Sequence, residues 1–237
     1  MPHKAAERLL TQAAAHRLEP RQVDKLAVLL GALATAQSAP TTVTDPAAAA
    51  DVHVADSLSG LEAAPLRAAK DIADIGSGAG FPGLVLAVAL PDARFDLIEA
   101  TTRKCEVIAG LAAAAEVSNA TAIPVRAEEW AASDGADSYE VVTARALSSL
   151  AVLAEYAAPL LVVGGSLLAW KGARDPNEER QGAQAAAILG LQPRPPISVR
   201  PFKGSRERHL YVYTKAEPTP DRFPRRPGMA TKRPLAG

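Results

Sequence analysis

The residues best suited to chemistry fall in one stretch, Asp71-Ile-Ala-Asp74-Ile-Gly76-Ser77-Gly78-Ala-Gly80-Phe81-Pro82-Gly83. Apolar Ile72, Ala73 and Ile75 read as a short strand. An acid, Asp74, stands at its end, and glycines follow at alternating positions. Glycines let a backbone turn sharply and approach a ligand closely. Pro82 then opens a helix, where its missing N–H costs nothing. A helix N-terminus presents unpaired N–H groups and a partial positive charge. Strand, glycine turn and helix together form a site for a nucleotide-type cofactor.

The glycines allow two registers. Gly78-x-Gly80-x-x-Gly83 fits the dinucleotide spacing, with Glu99 about 20 residues on to hold a ribose. Asp74-x-Gly76-x-Gly78-x-Gly80 fits the methyltransferase spacing. Here Asp74 orients the turn and the amino-acid end of the cofactor, Glu99 takes the ribose hydroxyls, and Gly83 serves helix packing. Further along, Arg126-Ala127-Glu128-Glu129 follows a strand. It reads either as an adenine-edge contact or as a helix start with favourable acids. Arg145, in Thr143-Ala-Arg-Ala146, ends another strand and is costly to bury without a partner. It suits a phosphate, a carboxylate or a guanine edge, unless it simply pairs with a surface acid. Lys171, Arg208 and His209 add donors near the same rim, and His53, Asp56 and Ser57 can reach it from upstream. A histidine in His53's setting is more often a satisfied interior residue than a catalyst. No Ser/His/Asp order, paired-carboxylate site or metal-ligand spacing is present, so no metal is expected.

These positions need a scaffold. From residue 69 onward strands and helices alternate: strands at 71–75, 94–99, 121–126, 140–144 and 160–170, the last broken by Gly164-Gly165, and helices at 82–90, 102–115, 147–158 and 177–189. This predicts an α/β fold with a Rossmann-like sheet, parallel with ligands beyond the strand ends. Strands at 197–200 and 209–214, joined by a loop holding Gly204, predict an antiparallel hairpin. That antiparallel strand is a methyltransferase feature and argues against a plain dinucleotide-binding domain. Residues 1–68 read as an N-terminal helical cap, with apolar stripes at Leu9, Leu10, Ala13 and Ala14 and at Val23, Leu26, Leu29, Leu30 and Leu33, then a linker at 40–51. Residues 69–215 are expected to form one cofactor-binding domain, a methyltransferase domain in the second glycine register. Residues 216–237 hold 5 prolines and are expected to be a poorly ordered basic tail.

The 237 residues are 48% hydrophobic, with zero formal net charge. Charge is uneven: residues 1–199 hold 16 basic and 23 acidic side chains, and residues 200–237 hold 10 and 3. A basic end on an acidic body suits an anionic partner. The single cysteine, Cys105, excludes an internal disulfide and is expected in the core. Without an apolar run long enough to span a bilayer or a leader-like start, a cytoplasmic protein without membrane association is expected, monomeric by default.

Several segments together are similar to one family. They are Asp74-Ile-Gly-Ser-Gly-Ala-Gly-Phe-Pro-Gly83, Arg103-Lys-Cys105, Arg126-Ala-Glu-Glu129, Thr143-Ala-Arg-Ala146, Trp170-Lys-Gly172, Arg208-His-Leu210, His53-x-x-Asp56-Ser57-Leu58 and Phe223-Pro-Arg-Arg-Pro-Gly228. Over residues 40–235 the chain resembles the ribosomal RNA small-subunit methyltransferase G family, the glucose-inhibited division protein B proteins. The Gly-Phe-Pro-Gly turn is its most specific mark. The resemblance implies N7 methylation of a guanosine in 16S rRNA of the 30S subunit, with S-adenosylmethionine as donor. It places the cofactor against Gly76, Phe81, Ala127, Glu128 and Arg145, with Gly78, Gly80 and Glu99 as walls. Asp74, Ser77, Ala100 and Thr101 complete the candidate set. Arg145 and Lys171 would hold the guanine edge or its phosphate, and Arg208, His209, Arg225, Arg226 and Lys232 would contact RNA. Competing readings are a methyltransferase for another RNA, a protein or a small molecule, an RNA-binding protein without catalysis, and an NAD-dependent oxidoreductase.

Overall fold

The computed structural model describes residues 2–36, 41, 43 and 45–236. Positions 40, 42 and 44 of the expected linker lie outside them. Helix α1 (His3–His16) turns at Arg17 into α2 (Pro20–Thr35). Pro20 sits in the first turn of α2, and Gln22 accepts the Glu19 N–H at 2.7 Å. Leu26, Leu29, Leu30 and Leu33 recur at helical spacing and are buried, so this stripe faces the core. Asp45 caps α3 (Pro46–Ala49), its carboxylate accepting the Ala48 N–H at 2.7 Å. The chain continues through a π-helical turn (Ala50–Ala55), α4 (Asp56–Leu58), a 3₁₀ turn (Ser59–Glu62) and α5 (Ala64–Ala68).

The alternating part follows as β1 (Asp71–Ile75), α6 (Gly83–Ala89), β2 (Arg94–Ile98), α7 (Thr102–Ala114), β3 (Ala120–Ile123), α8 (Ala127–Ala131), β4 (Tyr139–Arg145), α9 (Leu150–Ala157), β5 (Leu161–Lys171), α10 (Pro176–Ile188), β6 (Leu191–Pro193), β7 (Ile197–Val199) and β8 (Arg208–Lys215). The sheet order is β3-β2-β1-β4-β5-β8-β6, with β7 also on β8. The first five strands are parallel, and β8 runs antiparallel to β5, β6 and β7. The predicted Rossmann-like sheet with its C-terminal hairpin is therefore present. Three details differ. β3 stops at Ile123 because Pro124 has no N–H for the ladder. A short helix, α8, follows it. β6 was not expected, since only Leu191 of its three residues is buried. The break expected at Gly164 and Gly165 is present as a shift of the β4–β5 register, which pairs Tyr139 with Leu161 but Val141 with Ser166.

Side chains alternate across the sheet. On one face Ile72, Phe95, Leu97, Val141 and Leu168 share a cluster with Leu84 of α6, Ile108 of α7, and Leu9, Leu26 and Leu29 of the N-terminal helices. On the other, Ala73, Ile75, Val142, Ala144 and Leu167 pack with α9 and α10. The 68/69 boundary is thus a change of sequence pattern inside one packed body.

The tail does not behave as its composition predicts. It folds back onto the second face, burying Phe223 and Ala230, and forms α11 (Met229–Lys232). Arg225 grips the buried Glu155 of α9 with two hydrogen bonds of 2.5 Å. A charge buried on a distant helix holds this segment, and tail composition alone cannot reveal it.

Candidate active site

The turn after β1 is built as its residues demand. Gly76, Gly78 and Gly80 have φ of 66°, 60° and 91°, the left-handed region that side chains disfavour. Asp74 is fully buried beneath them. One carboxylate oxygen accepts the Gly83 N–H at 3.2 Å, and the other accepts the Thr143 hydroxyl at 2.8 Å. Burial pushes its pKa up to about 6, against the pull of these bonds. Asp74 therefore braces the turn from below and does not line the cavity, contrary to the expectation of direct cofactor contact. Gly83 belongs to the same brace. A Cβ there would lie 2.8 Å from Leu97 and 3.0 Å from Asp74, which agrees with a packing role.

Above the turn, at the carboxyl ends of β1, β2 and β4, lies a cavity of about 460 Å³. Gly76, Ser77, Gly78 and Phe81 form one wall, and Glu99 and Ala100 the next. Ala127, Glu128 and Tyr156 form a third, with Arg145, Ala146, Leu147 and His53 opposite. Glu99 is nearly buried. Its two oxygens accept the Gly78 N–H at 3.1 Å and the Thr101 N–H at 2.9 Å. Thr101 thus orients Glu99 and is not part of the cavity wall. Gly80 also lies outside the lining, its would-be Cβ directed at Leu84. Cys105 is buried, its thiol on the Glu99 carbonyl.

Arg145 enters the cavity wall from the end of β4. Its Nη1 donates to Asp56 at 3.0 Å and to the Val52 carbonyl at 2.9 Å. The partner acid comes from α4, so the upstream helices position the arginine. Arg208 approaches the second Asp56 oxygen at 3.5 Å. His53 stacks on Phe81 at 4.7 Å between ring centroids, and its Nε2 pairs with the Thr41 hydroxyl at 3.0 Å. Burial, aided by Arg145, lowers its pKa to about 4, so the ring is neutral near pH 7. Its Nδ1 is buried without a hydrogen-bond partner among the described residues. Ser57 is buried against the His53 carbonyl, away from the rim.

The remaining candidates disperse. Lys171 does not line the cavity; it bonds the Ser148 carbonyl at 3.1 Å and pairs with Glu178 at 2.5 Å. His209 is buried, with Nδ1 on the Gly172 carbonyl at 3.0 Å. That burial removes it from an RNA-facing surface. Arg225 is committed to Glu155, while Arg226 and Lys232 lie toward the surface. Sequence reasoning missed Leu147, Tyr156 and Lys104 as lining residues. Lys104 had a signal in the Arg103-Lys-Cys105 segment; Tyr156 lies in an apolar helix pattern that hides its outward position.

The residues fit S-adenosylmethionine. Glu99 Oε1 also faces the Lys104 ammonium at 3.8 Å, and Oε2, bonded only to the Gly78 N–H, keeps a lone pair for a ribose hydroxyl. A Cβ on Gly78 would meet nothing closer than 3.9 Å, so bare backbone faces the open space. Ala127 starts α8, and its N–H has no partner within the helix. Glu128 spends one oxygen on the Gly228 N–H at 2.8 Å and keeps the other. Among the described residues no cluster of metal-ligating side chains occurs, and no helix is long and apolar enough to cross a membrane.

Sheet order, glycine turn and acid-lined cavity are those of a Rossmann-like, S-adenosylmethionine-dependent methyltransferase. Solved structures agree on the fold. TomG, an O-methyltransferase from Streptomyces achromogenes in complex with SAM, superposes with a TM-score of 0.52 at 20% identity, covering 68% of this chain and 79% of its own. Aeropyrum pernix fibrillarin with natively bound S-adenosyl-L-methionine gives 0.52 at 18%, covering 68% and 72%. The model of the GidB family, rRNA small subunit methyltransferase G, matches residues 25–211. A protein of that name from Rubrobacter xylanophilus is 41% identical over 189 residues, 78% of this chain and 72% of the relative. One from Chloroflexus aggregans is 41% identical over 199 residues, 82% of each. The chain belongs to the rRNA small subunit methyltransferase G family.

Proposed function

We propose that this protein methylates N7 of a guanosine in 16S rRNA of the small ribosomal subunit. The observation that carries the reading is a cofactor cavity with a guanidinium at its edge that keeps donors to spare. In this reading Glu99 and Glu128 turn their remaining lone pairs to the cofactor, and His53 is stacked on Phe81 with its Nδ1 buried. Guanine N7 carries a lone pair and no proton, so it attacks a methyl group without losing a proton to the protein. Placement then supplies the rate, and well-oriented reactants can gain several kcal/mol of barrier from it.

When bound, S-adenosylmethionine supplies an electrophilic methyl on its sulfonium. Glu99 would hold its ribose, Ala127 and Glu128 its adenine edge, and the Gly76–Gly78 backbone its remaining length. Arg145 spends only Nη1 on Asp56 and the Val52 carbonyl, which leaves Nε and Nη2 as donors for guanine O6. That bond would fix the base edge so that N7 faces the cavity. Lys171, held by Glu178 and Ser148, has no such part.

The test is labelled-methyl transfer to 30S subunits and to naked 16S rRNA, with the modified base located by cleavage specific for N7-methylguanine. Wild-type protein labels one guanosine. Arg145→Ala lowers turnover by about 10²-fold, within the range for loss of a charged positioning donor. Labelling at another atom, or an Arg145→Ala enzyme of normal turnover, overturns this assignment.

A further inference from the structure

A second and larger concavity lies beside the cofactor cavity. It is a groove of about 1190 Å³ between α1 and the loop joining β7 to β8. Its cationic lining is Lys4 and Arg8 from α1 and Arg200, Lys203 and Arg206 from the loop. Arg8 is used internally, bonding Asp51 and the Ala47 carbonyl. The other four cations are exposed, and no ion pair is seen for them among the described residues. Thr11, Ser198 and Ser205 add hydroxyls. The acids are Glu7, Asp51 and Glu207, of which Asp51 is neutralised by Arg8.

The groove has fixed walls. Gln12 is buried on α1 and donates to the Pro201 carbonyl at 3.0 Å, pinning the helix to the loop. The π-helical turn Ala50–Ala55 separates the two concavities: Asp51 faces the groove, and His53, two residues on, lines the cofactor cavity. The groove also reaches the site edge through the chain itself. Glu207 lines the groove, and the next residue, Arg208, approaches the Asp56 that holds Arg145. The tail cations are placed differently. They follow Phe223 on the opposite face of the sheet, at the Glu128 and Tyr156 side.

We propose that this groove is the track for the RNA phosphate backbone flanking the target guanosine. Long, exposed cations with hydroxyls between them match a strand whose regular feature is phosphate. The α1 helix and the β7–β8 loop, and not the C-terminal tail, then supply the main electrostatic contact to RNA. The proposal rests on the reading that the substrate is ribosomal RNA.

The test is a double charge reversal on the loop, Lys203→Glu with Arg206→Glu, beside Arg180→Glu on exposed α10 as an equal-sign control. Affinity for 30S subunits and for naked 16S rRNA, KM for the particle and S-adenosylmethionine affinity are measured across ionic strength. The loop variant is expected to weaken RNA affinity by about tenfold or more at moderate salt and to lower the salt slope by roughly 0.7 per lost phosphate contact. Affinity for S-adenosylmethionine holds, and Arg180→Glu matches wild type. Unchanged RNA affinity and slope in a variant that still binds S-adenosylmethionine overturn the proposal. Should the reversal disturb folding, Lys203→Ala with Arg206→Ala removes charge without repulsion and is held to the same criteria. Methylation at an atom other than N7 would defeat the reaction assigned above and leave this test intact, because it reads affinity.

Discussion

At the scale of residues, Asp74 shows how an acid can support a site from outside its lining. It is sealed beneath the glycine turn, and burial raises its pKa to about 6 from an ordinary 3.8. Between those values the folded protein binds a proton that the unfolded chain has released, so stability falls as pH rises through that window. An asparagine in its place would still accept the Gly83 N–H and could donate to Thr143, without a charge to bury. Compared with Asp74→Asn, wild type should therefore lose about 1 kcal/mol of unfolding free energy between pH 5 and pH 7.5. Denaturant melts of both proteins at the two pH values check this, and a flat difference would show that the Gly83 and Thr143 bonds keep the carboxylate charged. That Asp74 mattered was legible from one short segment, because an acid before alternating glycines is a local pattern. That it would orient the turn was legible too, but that it would do so from outside the cavity lining, against a threonine hydroxyl, was not. Its partner Thr143 lies 69 residues away. Arg145 divides the same way: its need for a partner follows from its place at a strand end, but Asp56 stands 89 residues upstream.

At the scale of elements, the tail is a strap. Arg225 and Glu155 form a two-point contact, Glu155 is only 4% exposed, and three residues beyond Arg225 the Gly228 N–H reaches Glu128 in the cofactor wall. Removing one member of a buried pair leaves the other charged and unsatisfied, at a cost of about 3–5 kcal/mol. Arg225→Ala should lower Tm by roughly 10 °C, at about 2–4 °C per kcal/mol for a chain of this size. Adding Glu155→Leu removes the stranded charge and should recover more than half of that loss. A Tm unmoved by Arg225→Ala would mean the strap carries no load, and failure of the second substitution to rescue would mean the loss lies elsewhere. Periodicity exposed the strands and most helices, because each has a face that repeats. The tail has no such face. It is short, proline-rich and charged, and its order comes from Glu155 on α9, a residue that reads as an ordinary helix acid. The short β6 escaped for a related reason, having one buried side chain and no alternation to betray it.

At the scale of the whole molecule, the N-terminal helices and the sheet are one structure. Leu9, Leu26 and Leu29 are at most 1% exposed and pack in the cluster that contains Ile72, Leu84 and Phe95. The same helices carry Asp56, which holds Arg145, and one wall of the basic groove. Cutting at the sequence boundary would uncover the part of that cluster that the N-terminal helices seal, exposing apolar area worth about 25 cal/mol per Å², against a total stability of only about 5–15 kcal/mol. The full chain should therefore unfold in a single cooperative transition, and the 69–215 fragment should show none. S-adenosylmethionine at a hundred times its Kd should stabilise the full chain by about 2.7 kcal/mol, raising Tm by roughly 5–10 °C. NAD at the same concentration should leave Tm in place, because the sheet closed by antiparallel β8 and the family to which the chain belongs are those of an S-adenosylmethionine-dependent methyltransferase. Calorimetric scans of both chains with each ligand read all of this together. Two separated transitions in the full chain, or a fragment that melts cooperatively and binds S-adenosylmethionine, would show that the helices are an appendage. A single transition that shifts with the cofactor would show that the elements positioning the arginine, the groove and the cavity fold as one unit, so a change in the α1 stripe should weaken the site it never touches.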